Sequence, residues 1–103
     1  MQDNILSIIG LATKAGKVVS GEFSVEKAVK SGKAFLVIVS EDASDNTKKM
    51  FTNMCAFYNV PMYLYGNKET LGKSMGKEMR ASAALLDEGF SVTIIKKIQM
   101  EQN

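Results

Sequence analysis

The residues of this chain that could do chemistry are cations and exposed-type apolar side chains rather than acids, bases or nucleophiles. Between residues 14 and 33, Lys14, Lys17, Lys27, Lys30 and Lys33 stand against Glu22 and Glu26. Between residues 66 and 80, Lys68, Lys73, Lys77 and Arg80 stand against Glu69 and Glu78. The formal net charge is only +2, so these two stretches hold the positive excess and the remainder is slightly acidic. Brought onto one surface they would suit a polyanion; kept apart they are ordinary solvated lysines on two helices. Catalysis has little to work with. There is no histidine, the commonest general base and metal ligand, and the single cysteine, Cys55, excludes an internal disulfide framework and a cysteine-based zinc site. The run GKSMGK lacks the spacing of a phosphate-binding loop and follows a helical pattern rather than a strand. Glu41 and Asp42 are adjacent carboxylates with no other catalytic candidate beside them, which reads as a solvated turn. No catalytic residue, metal or cofactor is expected.

The elements that must position the cations can be read from the apolar pattern. The organising stretch runs from Ser20 to Asp42. Val25, Ala28, Val29 and Gly32 recur at i, i+3, i+4 and i+7, which makes one buried helical face and leaves Lys27 and Lys30 on another. Ala34 to Val39 then reads as an interior strand, apolar and rich in β-branched residues, which needs helices on both sides. Ahead of it, Asp3 or Asn4 can cap a helix over roughly 4–15, and 17–20 is a short extended link. Ser20 or Gly21 is the expected cap of the central helix, whose free N–H groups and positive dipole end favour a phosphate nearby or simply a helix cap.

After the central strand, residues 44–58 carry Met50, Phe51, Met54, Cys55, Phe57 and Tyr58 at helical spacing, expected as core, with Cys55 acting as a small hydrophobe. Pro61 stops that helix and residues 62–65 form a strand. Asn67 caps a short helix bearing Leu71 and Met75, and Gly76 closes it. The loop 76–80 is followed by a strand of small residues over 81–86 and a last helix from Asp87 or Glu88 that buries Phe90, Ile94, Ile95 and Ile98. The alternation α-β-α-β-α-β-α-β-α predicts an α/β protein, a three-layer α-β-α sandwich around a four-stranded sheet. At 103 residues the chain is expected to be a single domain spanning 1–103. The N-terminus lacks a signal-peptide pattern and no apolar run reaches the roughly 18 residues of a membrane span, so a cytoplasmic location is expected.

Two segments resemble the L7Ae/L30e family of ribosomal proteins, which bind kink-turn RNA. GEFSVEKAVKSGKAFLVIVSED is similar to that family's G-x-N-E-x-x-K-A-[IV]-x-x-G, apolar strand and acidic turn. VPMYLYGNKETLGKSMGKEMRASAALLDEG is similar to its VP strand, L-G-x-x-x-G helix end, variable loop and A-S-A-A strand. The resemblance covers most of the chain and is closest to small bacterial members in which the domain stands alone. It implies an L30e-like fold with a mixed sheet and a non-enzymatic protein that binds structured RNA. It also implies a ribosome or translation association and action as a monomer away from membranes.

On this resemblance the family glycine is Gly21 and the family lysine is Lys27, at the helix end that enters the RNA groove. The loop covering an unstacked base becomes Lys77, Glu78 and Met79, with Arg80 beside it. Lys14, Lys17, Lys27, Lys30, Lys77 and Arg80 would neutralise phosphates, and Phe23 and Met79 would contact bases. The chain departs from the pattern where the family has Asn-Glu to bond the guanine edges: here stand Phe23 and Ser24, between Glu22 and the rest of the helix. Phenylalanine cannot make those hydrogen bonds, though it can stack on an unpaired base, or it can be buried at the helix entry. Phosphate binding would then persist while kink-turn specificity weakens or changes. The alternative is a protein-interaction module on the same fold, with Phe23 and Met79 as an exposed apolar patch.

Overall fold

The computed structural model describes residues 3–102. Helices and strands alternate as α1 (Asn4–Lys14), β1 (Val18–Ser20), α2 (Glu22–Lys30), β2 (Leu36–Val39), α3 (Asp45–Tyr58), β3 (Met62–Leu64), α4 (Lys68–Ser74), β4 (Ser82–Leu85) and α5 (Glu88–Glu101). The expected α/β sandwich with a mixed four-stranded sheet is what forms. Strand order is β1-β4-β2-β3, with β4 antiparallel to both its neighbours and β2 parallel to β3.

The pleat of the two central strands divides the core. Leu36 and Ile38 of β2, with Ala83 and Leu85 of β4, pack with Ile5, Ile9, Leu71, Ile94 and Ile98 beneath α1, α4 and α5. Val37 and Val39, with Ala84, pack with Val25, Val29, Phe51 and Cys55 beneath α2 and α3. Both strands are buried along their whole length, as a sheet covered on both faces requires. Each fully buried Leu, Ile, Val or Phe contributes about 1.5–3 kcal/mol of transfer free energy, so these two layers dominate stability.

Side-chain caps fix where most helices begin. Asp3 accepts from Leu6 N–H at 2.9 Å, Ser44 from Thr47 N–H at 3.1 Å and Asp87 from Phe90 N–H at 2.9 Å. Asn67 and Thr70 form a reciprocal capping box. Each satisfies an N–H that the first helical turn leaves without a partner.

Several boundaries and one buried face differ from expectation. β2 starts at Leu36, not Ala34, because the Ala34 N–H still bonds Ala28 of α2 and Phe35 is exposed. Gly32 lies beyond α2 and is exposed, so it does not extend the buried stripe. Ser20 belongs to β1 and Gly21 alone is the cap of α2. On α3, Phe51 and Cys55 are buried and Met50 and Met54 partly so, but Phe57 is 78% exposed and Tyr58 40%. The cause is angle: Phe57 follows the buried Cys55 by two residues, about 200° around the helix, and so faces away from the sheet.

Candidate nucleic-acid interface

The backbone turns from β1 into α2 at Gly21, which has φ 90° and ψ 153°, a conformation a residue with a Cβ adopts only under strain. Asp3, Ser44, Asn67 and Asp87 cap the other helices, whereas α2 has no side-chain cap bond. Its first-turn N–H groups, at Glu22, Phe23 and Ser24, therefore face outward at the positive end of the helix dipole. Glu22 offsets part of that field from the same turn.

Contacts across the sheet bring the loop 76–81 to this helix end. Gly21 N–H donates to the Ser82 carbonyl at 3.1 Å. Arg80 Nε donates to Ser20 Oγ at 3.3 Å and its Nη1 to the Met79 carbonyl at 2.9 Å, which holds the guanidinium between the end of β1 and the loop. The loop is also tied to α4: Lys77 N–H donates to the Gly72 carbonyl at 2.9 Å and Arg80 N–H to the Lys68 carbonyl at 3.0 Å. This packing is possible because residue 72 is glycine, since a Cβ there would overlap the Glu78 carbonyl.

Of the residues expected at a binding site, Gly21, Glu22, Phe23, Ser24, Met79 and Arg80 thus converge on one edge. Phe23 is 79% exposed and Met79 60%, which overturns burial of Phe23 at the helix entry. Ser24 is half-buried; Lys77 and Glu78 are exposed on the loop, and Lys27 is exposed one turn along α2. The remaining cations lie elsewhere. Lys30 ends α2, about 13 Å from Gly21, and pairs with Glu26 at 2.7 Å. That hydrogen bond and the Glu26 charge raise the Lys30 pKa above its ordinary value. Lys17 precedes β1, about 13 Å down the strand from Gly21, and Lys14 ends α1 beside α4.

Lys68, already part of the basic stretch 66–80, is a further cation at this edge. The Arg80–Lys68 backbone bond places it there, and the Lys68 N–H in turn donates to Asp42 Oδ1 at 2.9 Å. The acidic turn is solvated, as expected, and through Asp42 it also braces the start of α4. Partial desolvation pushes the Asp42 carboxyl upward, but hydrogen bonding led by the Lys68 N–H more than offsets this and holds it below its ordinary value. Among the described residues no cluster of three His, Cys, Asp or Glu side chains could hold a metal. Cys55 is buried, and desolvation pushes its thiol up to about 11.

The model of the ribosomal protein L7Ae/L30e/S12e/Gadd45 family matches residues 3–95. The chain belongs to the L7Ae/L30e family. Among its relatives, the RNA-binding protein YlxQ of Bacillus subtilis (strain 168) is 44% identical over 88 residues, which cover 85% of this chain and 88% of that protein. A solved structure of a protein of unknown function from Bacillus halodurans C superimposes with a TM-score of 0.92 at 38% identity, covering 95% of this chain and 99% of the other. The Giardia lamblia 15.5kD RNA binding protein has the same fold, with a TM-score of 0.80 at 22% identity over 97% of this chain and 92% of its own. Within the L7Ae/L30e fold, the edge built from Gly21, Phe23, Lys68, Met79 and Arg80 is where the uncapped helix end, the exposed apolar side chains and the cations coincide. No described helix is long and apolar enough to cross a membrane.

Proposed function

We propose that this chain is a non-enzymatic RNA-binding protein that holds a sharply bent, kink-turn-like RNA on the edge between the start of α2 and the loop 77–80. One observation carries the reading: the Gly21–Ser82 and Arg80–Ser20 bonds set an uncapped helix end beside a guanidinium and two exposed apolar side chains. The helix end and the cations Lys27, Lys68, Lys77 and Arg80 would take phosphates. Phe23 and Met79 would cover unstacked bases, the element of irregular RNA that proteins read most readily. The name of its Bacillus subtilis relative supports the choice of RNA. Phe23 and Ser24 give up hydrogen bonds to guanine, so stacking replaces part of the edge readout. A ribosomal or other structured non-coding RNA in the cytoplasm is the natural target, bound by a monomer.

The test is a titration against a kink-turn RNA and the same RNA with its G·A pairs replaced, at low and near-physiological salt. Tight binding that survives salt and needs the G·A pairs supports kink-turn recognition. Equal and salt-labile binding to both leaves a general RNA binder, and no binding at low salt overturns the reading. Salt-insensitive binding of a protein partner, abolished by Phe23→Ala, would instead support an interaction module built on the exposed Phe23 and Met79.

A further inference from the structure

We propose, resting on the RNA-binding reading above, that the groove between α1 and α4 carries the sugar-phosphate backbone of an RNA strand as it leaves the loop 77–80. The groove is open, about 750 Å³ in volume, and runs from Asp3 beside Thr70 to Lys14 beside Gly76. Gly76 directly precedes Lys77, so the groove continues the edge already described. Lys14 and Lys73 line it, both exposed, and neither takes part in the Lys30–Glu26 ion pair, which is the one found among the described residues. The Asp3 carboxylate is engaged by the Leu6 N–H and the Tyr65 hydroxyl at the other end.

The hydroxyl groups favour RNA over another polyanion. Thr13 Oγ1 donates to the Ile9 carbonyl at 2.8 Å, and Ser74 Oγ donates to the Leu71 carbonyl at 2.7 Å. With their protons committed, both oxygens offer only lone pairs to the groove. A phosphate has no proton to give them at neutral pH, but a ribose 2′-hydroxyl has. Lysines for phosphates and acceptors for 2′-hydroxyls are the complement of a ribonucleotide backbone. α1 and α4 approach closely under the groove, where a Cβ on Gly10 would lie 3.0 Å from the Ser74 carbonyl, so the two linings are held in fixed register.

The experiment compares a minimal kink-turn RNA with one whose flanking stem is extended, using the parent chain and the Lys14→Gln/Lys73→Gln variant. Each lysine also sits in the last turn of its helix, where it offsets the dipole, so melting temperature is measured alongside and Lys14→Arg/Lys73→Arg serves as the charge-preserving control. On the extended RNA the glutamine variant is expected to bind on the order of tenfold more weakly, with the slope of log K against log salt smaller by about 2. On the minimal RNA the two are expected to bind alike, and the arginine variant to behave as the parent. Replacing the strand's ribose by deoxyribose is expected to weaken the parent more than Thr13→Val. Parent-like affinity and salt slope for the glutamine variant on the extended RNA would overturn the groove assignment and leave the RNA-binding reading standing. Failure of the parent to bind either RNA would overturn both.

Discussion

Gly72 faces the Glu78 carbonyl so closely that any side chain at position 72 would occupy the same space. The obstacle is backbone, which no rotamer change can clear. Gly72→Ala would by itself favour α4 by about 1 kcal/mol of helix propensity, whereas overpacking of this kind costs about 1–3 kcal/mol. The helix is therefore expected to persist and the loop to lift away, breaking the Lys77–Gly72 and Arg80–Lys68 bonds. Hydrogen exchange should show faster Lys77 and Arg80 amides with α4 still protected, and RNA affinity should fall further than melting temperature. Unchanged exchange at Lys77 and Arg80 would show that the loop is not held this way.

The Tyr65 hydroxyl donates to Asp3 Oδ2 at 2.6 Å, joining the end of β3 to the cap of α1. Desolvation first, then the hydrogen bond and charge of Asp3, push the tyrosine hydroxyl well above its ordinary pKa. Because the fold favours the protonated form, this contribution is complete below the free tyrosine pKa of about 10 and is lost as pH rises toward the higher folded value. Tyr65→Phe is expected to cost about 1 kcal/mol or less at neutral pH and to flatten the loss of stability on the alkaline side. Denaturant melts at neutral and alkaline pH check both, and an identical alkaline slope in the variant would count against it.

The fold was legible where local chemistry decides it, and the site only in part. The caps at Asp3 and Asn67 announce themselves by residue type, and the apolar run from Ala34 to Val39 marks an interior strand, two residues longer than the one that forms. Phe57 belongs to the same apolar run as Phe51, yet it lies about 200° around α3 from the buried Cys55, and which face packs is settled only by the sheet. Lys68 reaches the edge through a backbone bond to Arg80, twelve positions later in the sequence, which no pattern of side chains encodes. The placement of Lys14 and Lys17 away from Gly21 is likewise set by the path of β1 through the sheet.

Asp42 ties the turn after β2 to the first residue of α4 through the Lys68 N–H at 2.9 Å. Its carboxyl is held below the ordinary value, since hydrogen bonding led by the Lys68 N–H outweighs partial desolvation. Stabilisation is therefore present above the unfolded carboxyl pKa of about 3.9 and disappears as pH falls through the lower folded one. Asp42→Asn should show a shallower acid-side decline in melting temperature than the parent below about pH 4. A variant as acid-sensitive as the parent would assign the decline to other carboxylates.

Cys55 lies against Phe51, Val37 and Val39 and is 1% exposed. Desolvation pushes its thiol up to about 11, so little thiolate exists near neutral pH and what exists is covered. Alkylation of the native chain is expected to follow unfolding, slow in buffer and immediate in denaturant. Cys55→Ser, which puts a hydroxyl without a guaranteed partner into that layer, should cost about 1–3 kcal/mol, and Cys55→Ala less. Rapid stoichiometric labelling of folded protein would contradict this placement.

Phe23 and Lys30 make opposite predictions although both lie on the exposed side of α2. Phe23 is free, 79% exposed and one residue into the uncapped turn, so its ring can lie flat on an unstacked base. Stacking of this kind is worth about 1–3 kcal/mol per base, which makes Phe23→Ala roughly ten- to a hundredfold weaker for RNA, with Phe23→Tyr close to the parent. Lys30 is held by Glu26 at 2.7 Å, about 13 Å from the helix end, so Lys30→Ala should leave both affinity and its salt dependence unchanged. Fluorescence anisotropy with one RNA at two salt concentrations separates the two. A loss on Lys30→Ala with none on Phe23→Ala would move the RNA from the start of α2 to its far end.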